Sequence, residues 1–276
     1  MDLKACAPNL SLKNGIWYSA AVSEINYPSE GNEVCMQLED SSFWFRHRNN
    51  CLYALISKYS NNKPFFDIGG GNGFVSSNLE KHGLKTVLLE PGLSGCLNAQ
   101  KRGLKNIVCA AIEDAGFAQA SIPAAGIFDV LEHIEDDKSF LSKLNFYLRP
   151  GGELYITVPA YNFLWSGEDE YAGHFRRYTL RNLSSLLYAS GFQIIFKTYI
   201  FSFLPLPIFL FRSIPSIFKF TRSRHGLEKY KKEHGTKQGA AVKISNKILA
   251  WELNRIENNK SVSFGASCLI ASRKIK

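Results

Sequence analysis

The chain begins without a regular rhythm and then acquires one. Through its first forty positions, turn formers such as Pro28, Ser29, Gly31 and Asn32 are mixed with aromatics, so this part reads as an irregular arm packed on the main domain. Between Asp40 and Ser60, Phe45, Leu52, Leu55 and Ile56 supply an apolar stripe behind a capping Asp40 or Ser41, which predicts a helix. From residue 64 onward, short apolar runs alternate with amphipathic stretches. PFFDIG (64–69), KTVLLE (85–90), NIVCAA (106–111), GIFDVLE (126–132), ELYITVP (153–159) and FQIIFKTYI (192–200) read as strands. Helices are predicted over Phe74–His82, Ser94–Arg102, Asp136–Leu148 and Thr179–Ser190, with Gly83, Gly103 and Gly191 just past three of their ends. SFGASCLIASRK (263–274) reads as a final strand. Such apolar strands fit a sheet covered by helices on both faces. The fold class is therefore α/β, a doubly wound, mostly parallel seven-stranded sheet with ligands at the carboxyl ends of its strands.

The last third leaves this rhythm. YIFSFLPLPIFLF (199–211) is nearly all apolar but carries Pro205 and Pro207, and it is too short and too interrupted to span a bilayer. A basic stretch (219–238) and a predicted helix (Ala240–Glu257) come after it. The chain thus divides into an arm (1–39), an α/β domain (40–200), an inserted helical arm (201–258) and a closing strand (259–276).

Composition narrows the class. With 276 residues, 45% of them hydrophobic, the chain can bury a sizeable core, which excludes general disorder. The six cysteines are scattered without a CxxC pair, which argues against a disulfide framework or a zinc site and for a reducing, cytoplasmic setting. No apolar run succeeds the first charges, so no secretory signal is read. The net charge of +9 is local: residues 197–276 hold 16 Lys and Arg against 4 Asp and Glu, the rest 17 against 20. That imbalance points to an anionic partner near the C-terminal third, whether membrane surface, anionic substrate or nucleic acid, or simply to a solvated face.

DIGGGNG (67–73) lies between a predicted strand and a predicted helix, with glycines at every second position and Asp67 two residues before the first. Such glycines allow a tight turn that brings backbone N–H groups close to a ligand. A dinucleotide turn needs a glycine where Phe74 stands, and a phosphate loop needs a Gly-Lys-Ser/Thr that is absent. These residues resemble motif I of class I S-adenosylmethionine-dependent methyltransferases, and further landmarks of that family occur in order over roughly residues 40–200. The resemblance implies S-adenosylmethionine as cofactor, bound at Asp67, Gly69, Gly70, Gly71 and Gly73. It implies Glu90 on the ribose hydroxyls with Pro91 beside it, Ile112 and Glu113 at the adenine, and Asp129 beside the sulfonium. FWFRHRNN (43–50) resembles a helix that closes over the cofactor, which implies Arg46, Arg48 or Asn49 at the methionyl carboxylate or the substrate, Arg48 being taken for the cofactor and Trp44 for the substrate. GHFRRYT (173–179) resembles a substrate-side segment and offers Arg176, Arg177 and Tyr178.

Methyl transfer to a hydroxyl needs a base, and His133 and His174 are the candidates. No dense ligand cluster is evident, so no metal is expected; Glu132, His133 and His174 form a weaker candidate trio of the kind that some related O-methyltransferases use. The expected acceptor is a small or lipid-like molecule, with peripheral membrane contact through 199–238. Nucleic acid is disfavoured because no Asn/Asp-Pro-Pro-aromatic sequence is present. The alternatives are a non-catalytic cofactor-binding module and a nucleic-acid methyltransferase using the basic third.

Overall fold

Phe65, Phe66, Asp67 and Ile68 are all buried, as expected of a strand covered on both faces, and the rest of the fold is arranged around them. The computed structural model describes residues 3–20, 31–60, 63–217 and 240–275. Its helices are α1 (Leu3–Cys6), α2 (Gly31–Leu38), α3 (Phe43–Tyr59), α4 (Phe74–Lys81), α5 (Leu93–Lys101), α6 (Asp137–Tyr147), α7 (Gly167–Ala172), α8 (Leu180–Ala189), α9 (Pro205–Ile208), α10 (Ile214–Ile217) and α11 (Ala240–Glu257). The strands are β1 (Ser11–Lys13), β2 (Ile16–Tyr18), β3 (Phe65–Ile68), β4 (Thr86–Leu89), β5 (Ile107–Cys109), β6 (Ile122–Phe128), β7 (Leu148–Pro159), β8 (Phe192–Ile200) and β9 (Ser267–Lys274).

The strands form one sheet in the order β1-β2-β5-β4-β3-β6-β7-β9-β8. Strands β2 to β7 pair in parallel, while β9 runs antiparallel to both neighbours. Nine strands are present where seven were expected. The two additional ones come from the N-terminal arm, where β1 and β2 form an antiparallel hairpin that pairs with β5 through Trp17 and Tyr18. Strands this short, one of them fully exposed, carry too little apolar alternation to be read from sequence.

Alternation along β3 sends Phe66 to one face and Phe65 to the other. On the first face Phe66, Ile127 and Ile156 pack with Leu141 and Leu144 of α6 and Leu183 and Leu187 of α8. On the second, Phe65, Phe128 and Tyr155 pack with Leu52 and Leu55 of α3, Leu79 of α4 and Ile256 of α11. Burying each such aromatic contributes about 2–3 kcal/mol.

Caps set the helix starts. Helix α3 begins at Phe43 because Ser42, rather than Asp40 or Ser41, accepts the Trp44 N–H through its hydroxyl at 3.2 Å. Thr179 and Asn182 form a capping box at the start of α8. The apolar 199–211 stretch completes β8 and then turns helical; α9, a π-helical turn at Phe209–Ser213 and α10 run on from one another. The basic stretch 219–238 lies outside the described residues. No helix among those described is long and apolar enough to cross a membrane.

Candidate active site

The order of the parallel strands reverses at β3, and a cleft of about 910 Å³ opens there, at the carboxyl ends of β3, β4 and β6. Its floor is the turn after β3. Gly69, Gly71 and Gly73 take φ values of 68°, 53° and 71°, which L-residues rarely adopt. A Cβ on Gly69 would also lie 2.8 Å from a Val130 methyl, so the turn needs glycine for space as well as for conformation. Gly73 starts α4 from a left-handed conformation without a side-chain cap.

Carboxylates surround this turn. Asp67 is 1% exposed, and its Oδ2 accepts from the Ser76 hydroxyl at 2.8 Å and the Ser76 N–H at 3.2 Å. Its Oδ1 has no hydrogen-bond partner among the described residues, and burial pushes its pKa to about 6. Glu90, just past β4, accepts from the Gly71 and Gly92 N–H groups at 2.8 Å each, and burial raises its pKa. Asp129, at φ 57°, accepts from Thr157 Oγ1 at 3.1 Å and pairs with Arg48. Arg48 reaches the cleft from α3 with its guanidinium 4.8 Å from the Trp44 ring centre, and its charge also acts on Glu39, Asp67 and Glu132. A cleft so rich in acid suits a cationic ligand, and Arg48 supplies a place for that ligand's own carboxylate.

The other end of the cleft is built differently. Glu132 is buried, and its pKa is well raised by burial and by Asp129 nearby. His133 and His174 stand edge to face with ring centres 4.7 Å apart. Burial, and then the neighbouring His174, lower the His133 pKa to about 4. The His174 Nδ1 sits 2.9 Å from Asp169 Oδ1, and Arg177 grips the same carboxylate at 2.7 and 3.0 Å. Burial raises the Asp169 pKa, but the hydrogen bonds from His174 and Arg177 outweigh it and hold the value at about 2.

The family profile described as a methyltransferase domain matches residues 44–196, more than half of the chain. The chain belongs to the methyltransferase family. A curated Mycolicibacterium smegmatis protein named as a probable S-adenosylmethionine-dependent methyltransferase is 22% identical over 174 residues, which span 60% of this chain and 66% of that protein's length. Among solved structures, the complex between the Haloferax volcanii Trm112 methyltransferase activator and a methyltransferase aligns at a TM-score of 0.56 and 15% identity, covering 90% of this chain and 94% of the other. Haemonchus contortus phosphoethanolamine N-methyltransferase 2, solved with S-adenosylmethionine, aligns at 0.55 and 15% identity, covering 93% of this chain and 61% of that one. These two likenesses show the Rossmann-like methyltransferase fold.

Within the methyltransferase, Asp67, Gly69, Gly70, Gly71, Glu90, Pro91, Ile112, Glu113, Asp129, Arg48, Trp44, His133 and His174 line one cleft. Gly73 lies beneath it, against Ala99 and Leu104. Arg176, Arg177 and Tyr178 do not line it. Arg176 bonds the Glu135 carbonyl and Asp137, the Tyr178 hydroxyl donates to Asp137 at 2.8 Å, and Arg177 holds Asp169. Two groups at the site escaped the sequence reading. Asn32 of α2 lies against the glycine turn, where its backbone carbonyl accepts from Asn72 at 2.7 Å. Asp169 sits in a Ser-x-x-Asp capping box at the start of α7, a pattern that signals a helix start and conceals its second task of orienting His174.

Proposed function

We propose that this methyltransferase transfers a methyl group from S-adenosylmethionine to a hydroxyl or amine of a small-molecule or lipid-like acceptor. The observation that carries the reading is the single cleft joining the acid-lined glycine turn to the His133–His174 pair. Asp67 and Arg48 take the ammonium and carboxylate of the methionyl end, and Asp129 lies beside the sulfonium. Glu90 takes the ribose diol, since its two oxygens can accept from two hydroxyls, while Ile112, flanked by Pro91 and Glu113, takes the adenine. The free Oδ1 of Asp67 fits a cationic partner at that place. When bound, the cofactor would supply an electrophilic methyl to the acceptor atom, its sulfur keeping the electron pair of the bond that breaks, and the acceptor's proton would pass to a base. His133, kept neutral by burial, is placed to receive that proton, and Asp169 orients His174 beside it. Trp44 and Phe175 wall the acceptor end.

Exposed apolar side chains on the helices after β8 favour a lipid-like acceptor. The helical run 205–217 packs by Phe209 against Phe163 and exposes Leu206, Leu210, Phe211 and Ile217, Phe211 by 77%. The sequence after it holds 7 Lys and Arg against 2 Glu over 219–238, which suits contact with an anionic lipid surface. The test is calorimetry with S-adenosylmethionine on the wild type, Gly71→Arg and Glu90→Ala, then labelled methyl transfer to small alcohols and amines, acidic lipid vesicles and RNA. Saturable cofactor binding weakened in both variants, with label on a small or lipid acceptor, is expected. Label on RNA alone, or cofactor binding without any transfer, overturns the acceptor assignment.

A further inference from the structure

We propose that Glu132, His133 and His174 form a three-ligand site for a divalent transition-metal ion at the acceptor end of the cleft, leaving coordination positions for an oxygen of the acceptor. The site itself stands on these residues alone; the occupant of its open positions rests on the methyltransferase reading above.

One donor atom from each residue lies within 4.8 Å of the other two, and all three side chains line the cleft. Ligand bonds of about 2.0–2.2 Å hold neighbouring donors roughly 3 Å apart, so modest side-chain rotation closes the trio on an ion. Two imidazoles and one carboxylate on one side of a cavity make a donor set suited to zinc or ferrous iron rather than to magnesium, which prefers oxygen ligands.

Glu132 gives an independent reason. It is 1% exposed, and its Oε2 has no hydrogen-bond partner among the described residues. A buried carboxylate oxygen without a partner is costly, and Asp129 close by adds like charge. The two cations that act on Glu132, Arg48 and Arg177, are committed to Asp129 and Asp169. An ion between Glu132 and the histidines supplies the missing positive charge.

The histidines are also held from behind, as metal ligands commonly are. Asp169 takes His174 Nδ1 and so directs Nε2 away from itself, while Arg177 and the Ser166 N–H, at 2.9 Å, immobilise Asp169. His133 is bonded to the Ala172 backbone. With the ion bound, His133 and His174 act as ligands rather than as bases, and the ion takes over that part: an acceptor oxygen on it loses its proton more readily, to solvent, which is the chemistry the methyl transfer needs.

The experiment uses the full chain, stripped with a chelator, and titrates it with Co²⁺ monitored by its visible d–d bands, then with Zn²⁺ by calorimetry. One equivalent of Co²⁺ with a protein-specific spectrum, displaced by Zn²⁺ and not by Mg²⁺, is expected. Glu132→Gln and His174→Ala should each weaken binding at least about tenfold, and Asp169→Asn by about 10–100-fold through the loss of its hold on His174. His225→Ala/His234→Ala should bind as the wild type does. Thermal melts check that each variant folds, and Glu132→Gln, which keeps its shape, serves if the histidine variant does not. Absence of the spectrum, or binding undiminished in Glu132→Gln and His174→Ala, overturns the site. The same stripped sample is titrated with S-adenosylmethionine: cofactor binding without Co²⁺ binding sinks the metal site alone, and Co²⁺ binding without cofactor binding sinks the methyltransferase reading alone.

Discussion

Asp67 concentrates the chemistry of the glycine turn in one side chain. Its carboxyl titrates at about 6 in the fold against 3.8 for an unburied aspartate, because burial penalises the charged form more than Ser76 of α4 and Arg48 of α3 support it. A raised carboxyl pKa means that the folded protein binds the proton more tightly than the unfolded chain does. The contribution of Asp67 to stability without ligand therefore falls as pH rises from about 4 to about 6, by about 3 kcal/mol, and is level above. A cationic ligand reverses the sign by favouring the charged form. We expect S-adenosylmethionine affinity, measured by calorimetry, to drop as pH falls below about 6. Glu90 faces the same turn and titrates in the same direction, so the control is Asp67→Asn. That variant should be more stable than the wild type at neutral pH in urea melts, bind the cofactor at least about tenfold more weakly, and lose most of the pH dependence. An Asp67→Asn protein with wild-type affinity and pH profile would remove Asp67 from the cofactor site.

Helix α3 brings Trp44 and Arg48 to the cleft, and its position is set from the other side by α11. His47 Nε2 lies 2.9 Å from Glu252 Oε2, and Glu252 also accepts from the Phe201 N–H at 2.9 Å, the Ser202 N–H at 2.6 Å and the Ser202 hydroxyl. Burial alone would raise the Glu252 pKa, but the bonds from His47 and Ser202 bring it below the usual value. One carboxylate therefore ties α3, α11 and the end of β8 together. Removing it leaves two backbone N–H groups and a buried imidazole without their acceptor. Glu252→Ala is expected to cost about 3–5 kcal/mol in urea unfolding and to weaken S-adenosylmethionine binding, since Arg48 lies one residue from His47. A loss under about 1 kcal/mol would show that α3 is positioned by packing alone. The helix itself was legible from its apolar stripe. Its tether was not, because 205 positions separate His47 from Glu252 and neither lies in a recognisable pattern.

At the scale of the molecule, the N-terminal hairpin closes the sheet edge beyond β5. Ile16 of β2 is 1% exposed and packs with Leu88, Cys96, Ala99, Leu104 and Ile107, beneath the turn where Gly73 meets Ala99. Ile16→Ala is expected to lower stability by about 2–4 kcal/mol, measured by urea denaturation, and to weaken cofactor binding because the helix α5 side of the turn loosens. A neutral substitution would mean that the hairpin is only an ornament of the edge.

Local chemistry in the sequence was enough to determine the parallel core, the glycine turn and many of the residues that line the cleft. Apolar runs report burial directly, and a turn that needs left-handed backbone next to a ligand leaves glycines at fixed spacing. Tertiary structure alone decided what depends on contacts between distant segments. It added β1 and β2 to the sheet, drew Arg176, Arg177 and Tyr178 into supporting bonds outside the cleft lining, and put Asp169 behind His174. It also placed Glu132 and His133 within donor reach of a histidine 41 positions away, though the two ends of that interval share no pattern along the chain. Their proximity arises from the way the segments after β6 and β7 meet above the sheet, and a linear pattern does not encode that meeting.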